Sequence, residues 1–302
     1  MSERRGNLLI DDRKRKVGGR ILDLTFRTNI ESGLVPPLMY VSGFLAKRRV
    51  YNDSAECVTS EYGVPTITMG HRSGRPPNAK EVAEVADYIA QNYQQPAVLA
   101  LHSNGGRLGT EAVHDHGAPT LGLMYMQSAG FGGVLPHKAL DSLRYEERPV
   151  WDLIKDTYIA IDGLRYAIGA GVSLPLLAYQ AARHRVDDKA EVLLYERGVP
   201  INGLGFRNDP FIVTKTVARS FNRIGIPLAI AEGSHNAQYS RARETAPYIA
   251  GLYGDILVRA NLGEAVVRHV QNGFELPPVQ WCDVEKVYGY GLNRAASEYR
   301  SA

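Results

Sequence analysis

A serine lies where an apolar run gives way to glycines. Residues 96–101 are Pro-Ala-Val-Leu-Ala-Leu, a composition typical of a short, fully buried strand. Ser103 follows, and a helical pattern begins close to Gly105. A serine on a sharp strand-to-helix turn presents its hydroxyl to a substrate, and the positive end of the next helix favours developing negative charge. Ser103 is therefore a candidate nucleophile, and a serine that only caps the helix is the alternative interpretation.

An acid and a histidine follow, each at the end of a strand-like run. The run 199–206 leads to Asp209, and the run 225–231 leads to His235. Taken singly, the aspartate fits a turn and the histidine fits an ordinary loop. The chain order serine, aspartate, histidine is the one expected for a nucleophile-elbow hydrolase. Together they predict a triad in which Ser103 attacks, His235 serves as base and then acid, and Asp209 orients the imidazole.

These motif types and their spacing resemble the α/β-hydrolase fold superfamily over roughly residues 20–240. The resemblance implies an oxyanion hole formed by the backbone N–H groups of Phe44 and Asn104. The chain departs from the usual pattern at two positions. Ser42 stands where many members have a histidine, and the bulky Leu101 stands where the elbow usually has a small residue.

The alternation of strands and helices defines the expected fold class. Strand-like patterns cover 17–30, 52–61, 96–102 and 120–126. Helical patterns cover 79–92, where apolar residues recur every three or four positions, and 105–115. Alternating elements of this kind favour an α/β fold with a mostly parallel central sheet that is flanked by helices.

The connection between the strand at 120–126 and the strand before Asp209 is too long for a simple crossover. Within it, 150–167 is amphipathic and 174–185 is typical of a second helix. In the superfamily that the chain resembles, an insertion at this place forms a helical cap over the site. The resemblance therefore predicts a discontinuous core of residues 1–130 and 197–302 with a helical cap at 131–196; ordinary crossover helices are the alternative.

The chain continues well past the candidate base. Residues from about 241 onward form an expected C-terminal extension, in which 245–272 is predicted as a continuous helix. A tyrosine-rich end follows. The extension either braces the core or forms a subunit contact, which would make the protein a homodimer.

Two other motifs in the elbow region suggest different chemistry. The segment 103–109 resembles a dinucleotide-binding glycine loop, but Asn104 occupies its first glycine position. His114 and His116 flank Asp115 in a way that fits a metal, but no further ligand cluster is near, and histidines at a helix C-terminus are favourable on dipole grounds alone. We therefore expect no organic cofactor and no metal.

Composition excludes several classes of partner. A net charge of +3 on 302 residues is too small to argue for nucleic-acid binding. No apolar run approaches the ~18 residues of a membrane span, and no signal-peptide pattern is present, so a cytoplasmic protein without a membrane partner is expected. Cys57 and Cys282 are the only cysteines, and they lack metal spacing, so both are expected to be structural.

The sequence thus predicts a cofactor-independent serine hydrolase. It would cleave a small-molecule carboxylic ester, thioester or lactone through an acyl-enzyme on Ser103. A non-hydrolytic protein of the same fold, either a ligand-binding protein or a lyase, stays open because of Leu101 and Ser42. An apolar pocket lining is expected from residues in and near the predicted cap: Phe131, Leu135, Trp151 and Tyr158.

Overall fold

The computed structural model of the protein describes residues 2–5, 7–17, 19–29, 35–42, 49–71, 77–135, 138 and 183–289. The strands are β1 (Ser2–Arg5), β2 (Leu8–Val17), β3 (Arg20–Asn29), β4 (Leu38–Val41), β5 (Thr66–His71), β6 (Ala97–His102), β7 (Thr120–Met126), β8 (Ile201–Phe206) and β9 (Leu228–Ala231). The helices of the described ranges are α1 (Arg49–Tyr62), α2 (Ala79–Tyr93), α3 (Gly105–His116), α4 (Asp187–Tyr195), α5 (Thr214–Ile224), α6 (Ala237–Ser240), α7 (Ala242–Arg259), α8 (Gly263–Gln271) and α9 (Val284–Tyr288).

The strands form one sheet in the order β1-β2-β3-β5-β4-β6-β7-β8-β9. The first three strands and β5 pair antiparallel, while β5, β4, β6, β7, β8 and β9 pair parallel. The predicted α/β fold with a mostly parallel sheet is therefore confirmed. Because β4, β6, β7, β8 and β9 run in one direction, the loops that leave their carboxyl ends meet at one edge of the sheet.

The central strands β4, β6 and β8 are buried on both faces. Along β6, Leu99 and Leu101 belong to the core on one face, which α2, α3, α4 and α5 cover, while Val98 and Ala100 belong to the core on the other face, which α1 and α7 cover. This alternation follows the two-residue period of a strand. It explains why the run before Ser103 is apolar at every position.

The prediction of a strand at 52–61 is wrong, because these residues lie in helix α1. The apolar side chains of Tyr51, Ala55 and Val58 are separated by four and three residues and are all buried against the sheet. That spacing places them on one face of a helix, and the residues between them, such as Asn52, Asp53 and Glu56, are unfavourable in strands.

Within the predicted cap interval, 131–196, the chain has already returned to the core at Val186. The N–H of Val186 donates to the carbonyl oxygen of Gly130 at 2.8 Å, so the chain leaves and returns at one place. Helix α4 then packs in the core, where Ala190 and Leu193 are fully buried. A cap would therefore lie within 139–182, which fall outside the described residues together with nearly all of the predicted helices 150–167 and 174–185. The cap stays a prediction.

The C-terminal extension is not the single helix predicted over 245–272. It forms α7 and α8, which are separated at 260–262, where Asn261 has a φ of +61° and cannot continue a helix. In α8 the buried His269 donates from Nε2 to the Tyr62 carbonyl at 2.6 Å, and Phe274 packs over Gly63. The described part of the extension therefore braces the end of α1.

At the junction between β6 and α3, the bulky side chain of Leu101 packs against Gly109. A Cβ at Gly109 would lie only 2.2 Å from Cδ2 of Leu101. The missing side chain on α3 therefore makes the space that the bulky residue on β6 fills. In a nucleophile elbow the small residue at this contact usually lies on the strand. Here it is Gly109, which lies on the helix that follows.

We predict that Gly109→Ala destabilises the protein by about 1–3 kcal/mol through overpacking, although alanine is the better helix former by about 1 kcal/mol. Leu101→Ala alone should cost about 2–5 kcal/mol through the cavity it leaves. The double variant should cost clearly less than the sum of the two. Urea unfolding of the four proteins measures this coupling, and strict additivity would contradict the account.

Candidate active site

The turn at Ser103 holds a backbone conformation that side chains disfavour. Ser103 has a φ of +54°, in the left-handed region, which costs about 1–3 kcal/mol. Its N–H donates to the Met126 carbonyl at 3.3 Å, and its carbonyl oxygen accepts from the N–H groups of Ala129 at 2.8 Å and Gly106 at 3.0 Å. Three such bonds, each worth about 0.5–1.5 kcal/mol net, are comparable in size with the strain and hold the elbow in place.

The glycines after the serine let the helix begin directly against the sheet. A Cβ at Gly105 would lie 2.3 Å from the Val41 carbonyl oxygen, and one at Gly106 would lie 2.5 Å from Cβ of Ser128. The space at these positions is therefore filled by the end of β4 and by the loop after β7. This close packing explains the glycines without a bound nucleotide.

The three predicted catalytic side chains lie in contact at the carboxyl edge of the sheet. His235 Nε2 lies 3.0 Å from Ser103 Oγ, and His235 Nδ1 lies 2.7 Å from Asp209 Oδ2. Because the carboxylate only accepts, Nδ1 carries the proton and Nε2 is left to accept the serine hydroxyl. All three residues are buried, so the hydrogen bonds act in a medium of low dielectric.

The carboxylate of Asp209 is fixed by backbone donors. Its Oδ1 accepts from the N–H of Phe211 at 2.7 Å and from that of Ile212 at 3.0 Å, which leaves Oδ2 for His235. The Phe211 ring meets the imidazole of His235 edge-on, with centroids 4.9 Å apart. The imidazole is therefore held by a charge at one nitrogen and by an aromatic ring at its side.

Gln127 stabilises the loop that carries the acid, and sequence reasoning did not find it. Its Oε1 accepts from the Phe206 N–H at 2.7 Å, and its Nε2 donates to the Ile212 carbonyl and, at 3.0 Å, to Thr214 Oγ1. The side chain thus ties the end of β8 to the far side of the loop. A lone glutamine after a strand carries no pattern that indicates this role.

Of the two predicted oxyanion-hole residues, Asn104 is among the described residues and Phe44 is not. Asn104 lies at the N-terminal end of α3 with helical angles, and its side chain accepts from Arg107 Nε at 3.3 Å. Its N–H therefore belongs to the positive end of a helix next to Ser103. Phe44 lies outside the described residues, so its contribution stays a prediction.

The predicted apolar lining is corrected at one position. Phe131 is fully buried in the core, where its ring packs at 4.7 Å from the rings of Tyr125 and Phe221. It faces the helix layer and does not line a substrate pocket. Trp151 and Tyr158 lie outside the described residues.

Of the two histidines at the end of α3, His114 contacts a charged neighbour. Asp115 binds both His114, at 2.6 Å, and Lys189, at 2.5 Å. Within the described ranges, no group of three or more histidine, cysteine, aspartate or glutamate side chains is arranged to hold a metal ion. None of the described helices is both long and apolar enough to cross a bilayer.

His102, directly before Ser103, is buried beside His235. Burial lowers the pKa of His102 from its usual value to about 3, and the nearby His235 contributes to the shift. The rings of the two histidines lie 4.9 Å apart. His102 is therefore neutral at physiological pH, and no positive charge opposes one that forms on His235.

The lowered pKa of His102 predicts how stability depends on pH. An unfolded chain protonates this histidine below about 6.5, while the folded protein resists protonation to about 3. The unfolded state binds more protons between these values, so the free energy of unfolding should fall as the pH drops through this window. His102→Gln removes the effect, and the stability of the wild type relative to this variant should fall by about 1.4 kcal/mol per pH unit.

Urea unfolding between about pH 6 and about pH 4 measures this difference. His116→Gln, at an exposed histidine of α3, is the control and should keep the wild-type slope. Parallel stability curves for the wild type and His102→Gln would contradict the assignment.

Comparison with known proteins identifies the fold. A membrane phospholipase A, described as a bacterial virulence factor, matches with a TM-score of 0.58 and 16% identity over 82% of this chain and 86% of that one. Carboxyl esterase 2 of the mycorrhizal fungus Tuber melanosporum matches with a TM-score of 0.56 and 10% identity, over 88% of each chain. A thermophilic esterase from Thermogutta terrifontis matches with a TM-score of 0.53 and 15% identity over 82% of this chain and 99% of that one.

At the level of sequence, the chain matches no protein-family model and no curated protein. The structural likeness extends over most of the chain, and the sheet order, the crossovers and the strand-to-helix turn at Ser103 agree with it. The protein has the α/β-hydrolase fold, as the sequence motifs predicted.

Proposed function

We propose that the protein is a cofactor-independent serine hydrolase that cleaves a carboxylic ester, thioester or lactone through an acyl-enzyme on Ser103. The observation that carries the proposal is the continuous hydrogen-bond chain from Ser103 Oγ through His235 to Asp209, at 3.0 and 2.7 Å. The two esterases and the phospholipase among the similar structures support the same class of reaction.

In the acylation step, Ser103 Oγ attacks the substrate carbonyl carbon while its proton passes to His235 Nε2. The negative charge that develops on the carbonyl oxygen is stabilised by the Asn104 N–H at the positive end of α3. Asp209 holds the Nδ1 proton and stabilises the imidazolium. The tetrahedral intermediate then collapses, and His235 gives its proton to the leaving alkoxide or thiolate.

In the deacylation step, the same groups act on water. His235 accepts a proton as the water oxygen attacks the acyl carbon. Collapse of the second intermediate releases the carboxylic acid and returns the proton to Ser103 Oγ. Each proton that moves passes through His235 Nε2, so its 3.0 Å distance to Ser103 governs both steps.

The packing of the elbow supports this proposal over a non-hydrolytic role. A bulky residue at position 101 would favour the ligand-binding or lyase alternative if it prevented the close turn at Ser103. Gly109 accommodates its side chain, and the hydrogen bonds of Ser103 hold the turn in the left-handed conformation. The nucleophile therefore keeps its reach to His235.

We predict that the protein hydrolyses p-nitrophenyl esters and that Ser103→Ala and His235→Ala each lower kcat by at least about 10³-fold. A fluorophosphonate probe should label the wild type and not Ser103→Ala. Ser60→Ala, at an exposed serine of α1, is the matched control and should keep both activities. Matching thioester and lactone substrates then define the preferred class.

Folding of each variant is checked by circular dichroism and thermal unfolding. A folded wild type that is inert towards all three substrate classes and towards the probe would contradict hydrolysis and favour the non-hydrolytic role.

We predict that Asp209→Asn lowers kcat by about 10⁴-fold without unfolding the protein. The Phe211 and Ile212 N–H groups hold the oxygen acceptor of the side chain, so the new amide group must face His235 and donate to Nδ1. The proton of the imidazole then moves to Nε2, which can no longer accept from Ser103. Asp188→Asn, at an exposed aspartate of α4, is the control, and equal activity of the two variants would contradict the assigned tautomer.

A further inference from the structure

His102 makes hydrogen bonds with both ring nitrogens, and neither bond belongs to the triad. Its Nδ1 lies 2.8 Å from the hydroxyl of Tyr51 in α1, and its Nε2 lies 2.8 Å from the main-chain carbonyl oxygen of His235. His102 and Tyr51 are each about 1% exposed. These side chains therefore form a buried link from α1 to the loop that carries the general base.

The partners determine which nitrogen of His102 carries the proton. A carbonyl oxygen only accepts, so Nε2 must carry the proton that it donates to His235. Nδ1 is then an acceptor, and the Tyr51 hydroxyl must donate to it. The amide nitrogen of Gln238 lies 3.4 Å from Nδ1 and 3.2 Å from Nε2, in each case farther than the partner at 2.8 Å. Tyr51 is therefore the group that holds His102 in the Nε2–H form.

This link ties the base directly to the nucleophile strand. His102 immediately precedes Ser103, and it lies 133 residues from His235 along the chain. Without the link, the position of His235 is set by its own loop after β9, by the bond to Asp209 and by the Phe211 ring. With the link, the main chain of His235 is hydrogen-bonded to His102, the residue next to Ser103. A short series of covalent and hydrogen bonds therefore determines the distance between Ser103 Oγ and His235 Nε2.

We propose that Tyr51 and His102 are positioning residues for the reaction: Tyr51 selects the tautomer of His102, and His102 holds the main chain of His235 at reacting distance from Ser103. The proposal deepens the function proposed above and rests on it. The burial that keeps His102 neutral supports it, because a neutral ring at 4.9 Å does not oppose the imidazolium that forms on His235 in each step.

The direct test is Tyr51→Phe, with Tyr40→Phe as its matched control. Tyr40 is equally buried, its ring lies 5.6 Å from that of Tyr51, and its hydroxyl contacts Ser54 rather than His102. Tyr51→Phe should lower kcat about tenfold, while KM changes by less than about twofold, because the lost contact aligns the reacting groups. Labelling by the fluorophosphonate probe should slow by a similar factor.

Tyr40→Phe should leave both rates within about twofold of the wild type. Equal rates for the two phenylalanine variants would overturn the proposal.

Substitution of His102 provides the rescue test. His102→Gln keeps an N–H donor for the His235 carbonyl and an acceptor for Tyr51, so it should retain most of kcat. His102→Leu removes both groups at similar bulk and should lower kcat by about 10- to 100-fold. A His102→Leu variant as active as His102→Gln would overturn the proposal, and if the leucine variant does not fold, the Tyr51→Phe comparison still decides.

The tautomer can be read without any activity. NMR spectra of the protein with ¹⁵N-labelled histidine rings, with His102 assigned through His102→Gln, should show His102 as the neutral Nε2–H form. Tyr51→Phe should disturb this signal and Tyr40→Phe should not. A wild-type His102 protonated on Nδ1 would overturn the proposal. An inert enzyme with the Nε2–H form would instead place the failure in the proposed function.

Discussion

Ser103 carries a Cβ and yet holds a left-handed backbone, with a φ of +54°, at the point where β6 becomes α3. Hydrogen bonds to Met126 at the end of β7 and to Ala129 in the loop that follows it keep Ser103 there, and Gly105 and Gly106 let the next helix approach the sheet and this loop closely. If this turn relaxed, Oγ would leave the reach of His235. The sheet order, the elbow packing and the active-site contacts therefore all support the left-handed backbone conformation of Ser103.

The parallel strands bring residues that are distant along the chain together in one site. Ser103, Asp209 and His235 follow β6, β8 and β9, and the common strand direction brings their loops together. The carboxylate of Asp209 is fixed by backbone N–H groups of its own loop, and Ser103 is linked to it through His235. His235 is the clearest case, because its side chain is held by Asp209 and its main chain by His102. The positions of these three side chains depend on the hydrogen-bond network more than on any single loop.

The sequence allowed the α/β fold and the three contacting residues to be predicted, because apolar runs that end in glycine, aspartate or histidine have local signatures. It did not allow α1 to be recognised, although Tyr51, Ala55 and Val58 have helical spacing. Contacts that depend on tertiary structure left no local pattern. Neither the bond between Tyr51 and His102 nor the space that Gly109 makes for Leu101 can be recognised along the chain.

The most direct test of the account is to trap the intermediate. The protein is mixed with p-nitrophenyl acetate, quenched with acid within milliseconds, digested and mapped by mass spectrometry. The account predicts an acetyl group on the peptide that contains Ser103, at the hydroxyl of that serine, and none in Ser103→Ala. Turnover of the ester with no acyl group on Ser103, or with the group on another residue, would contradict it.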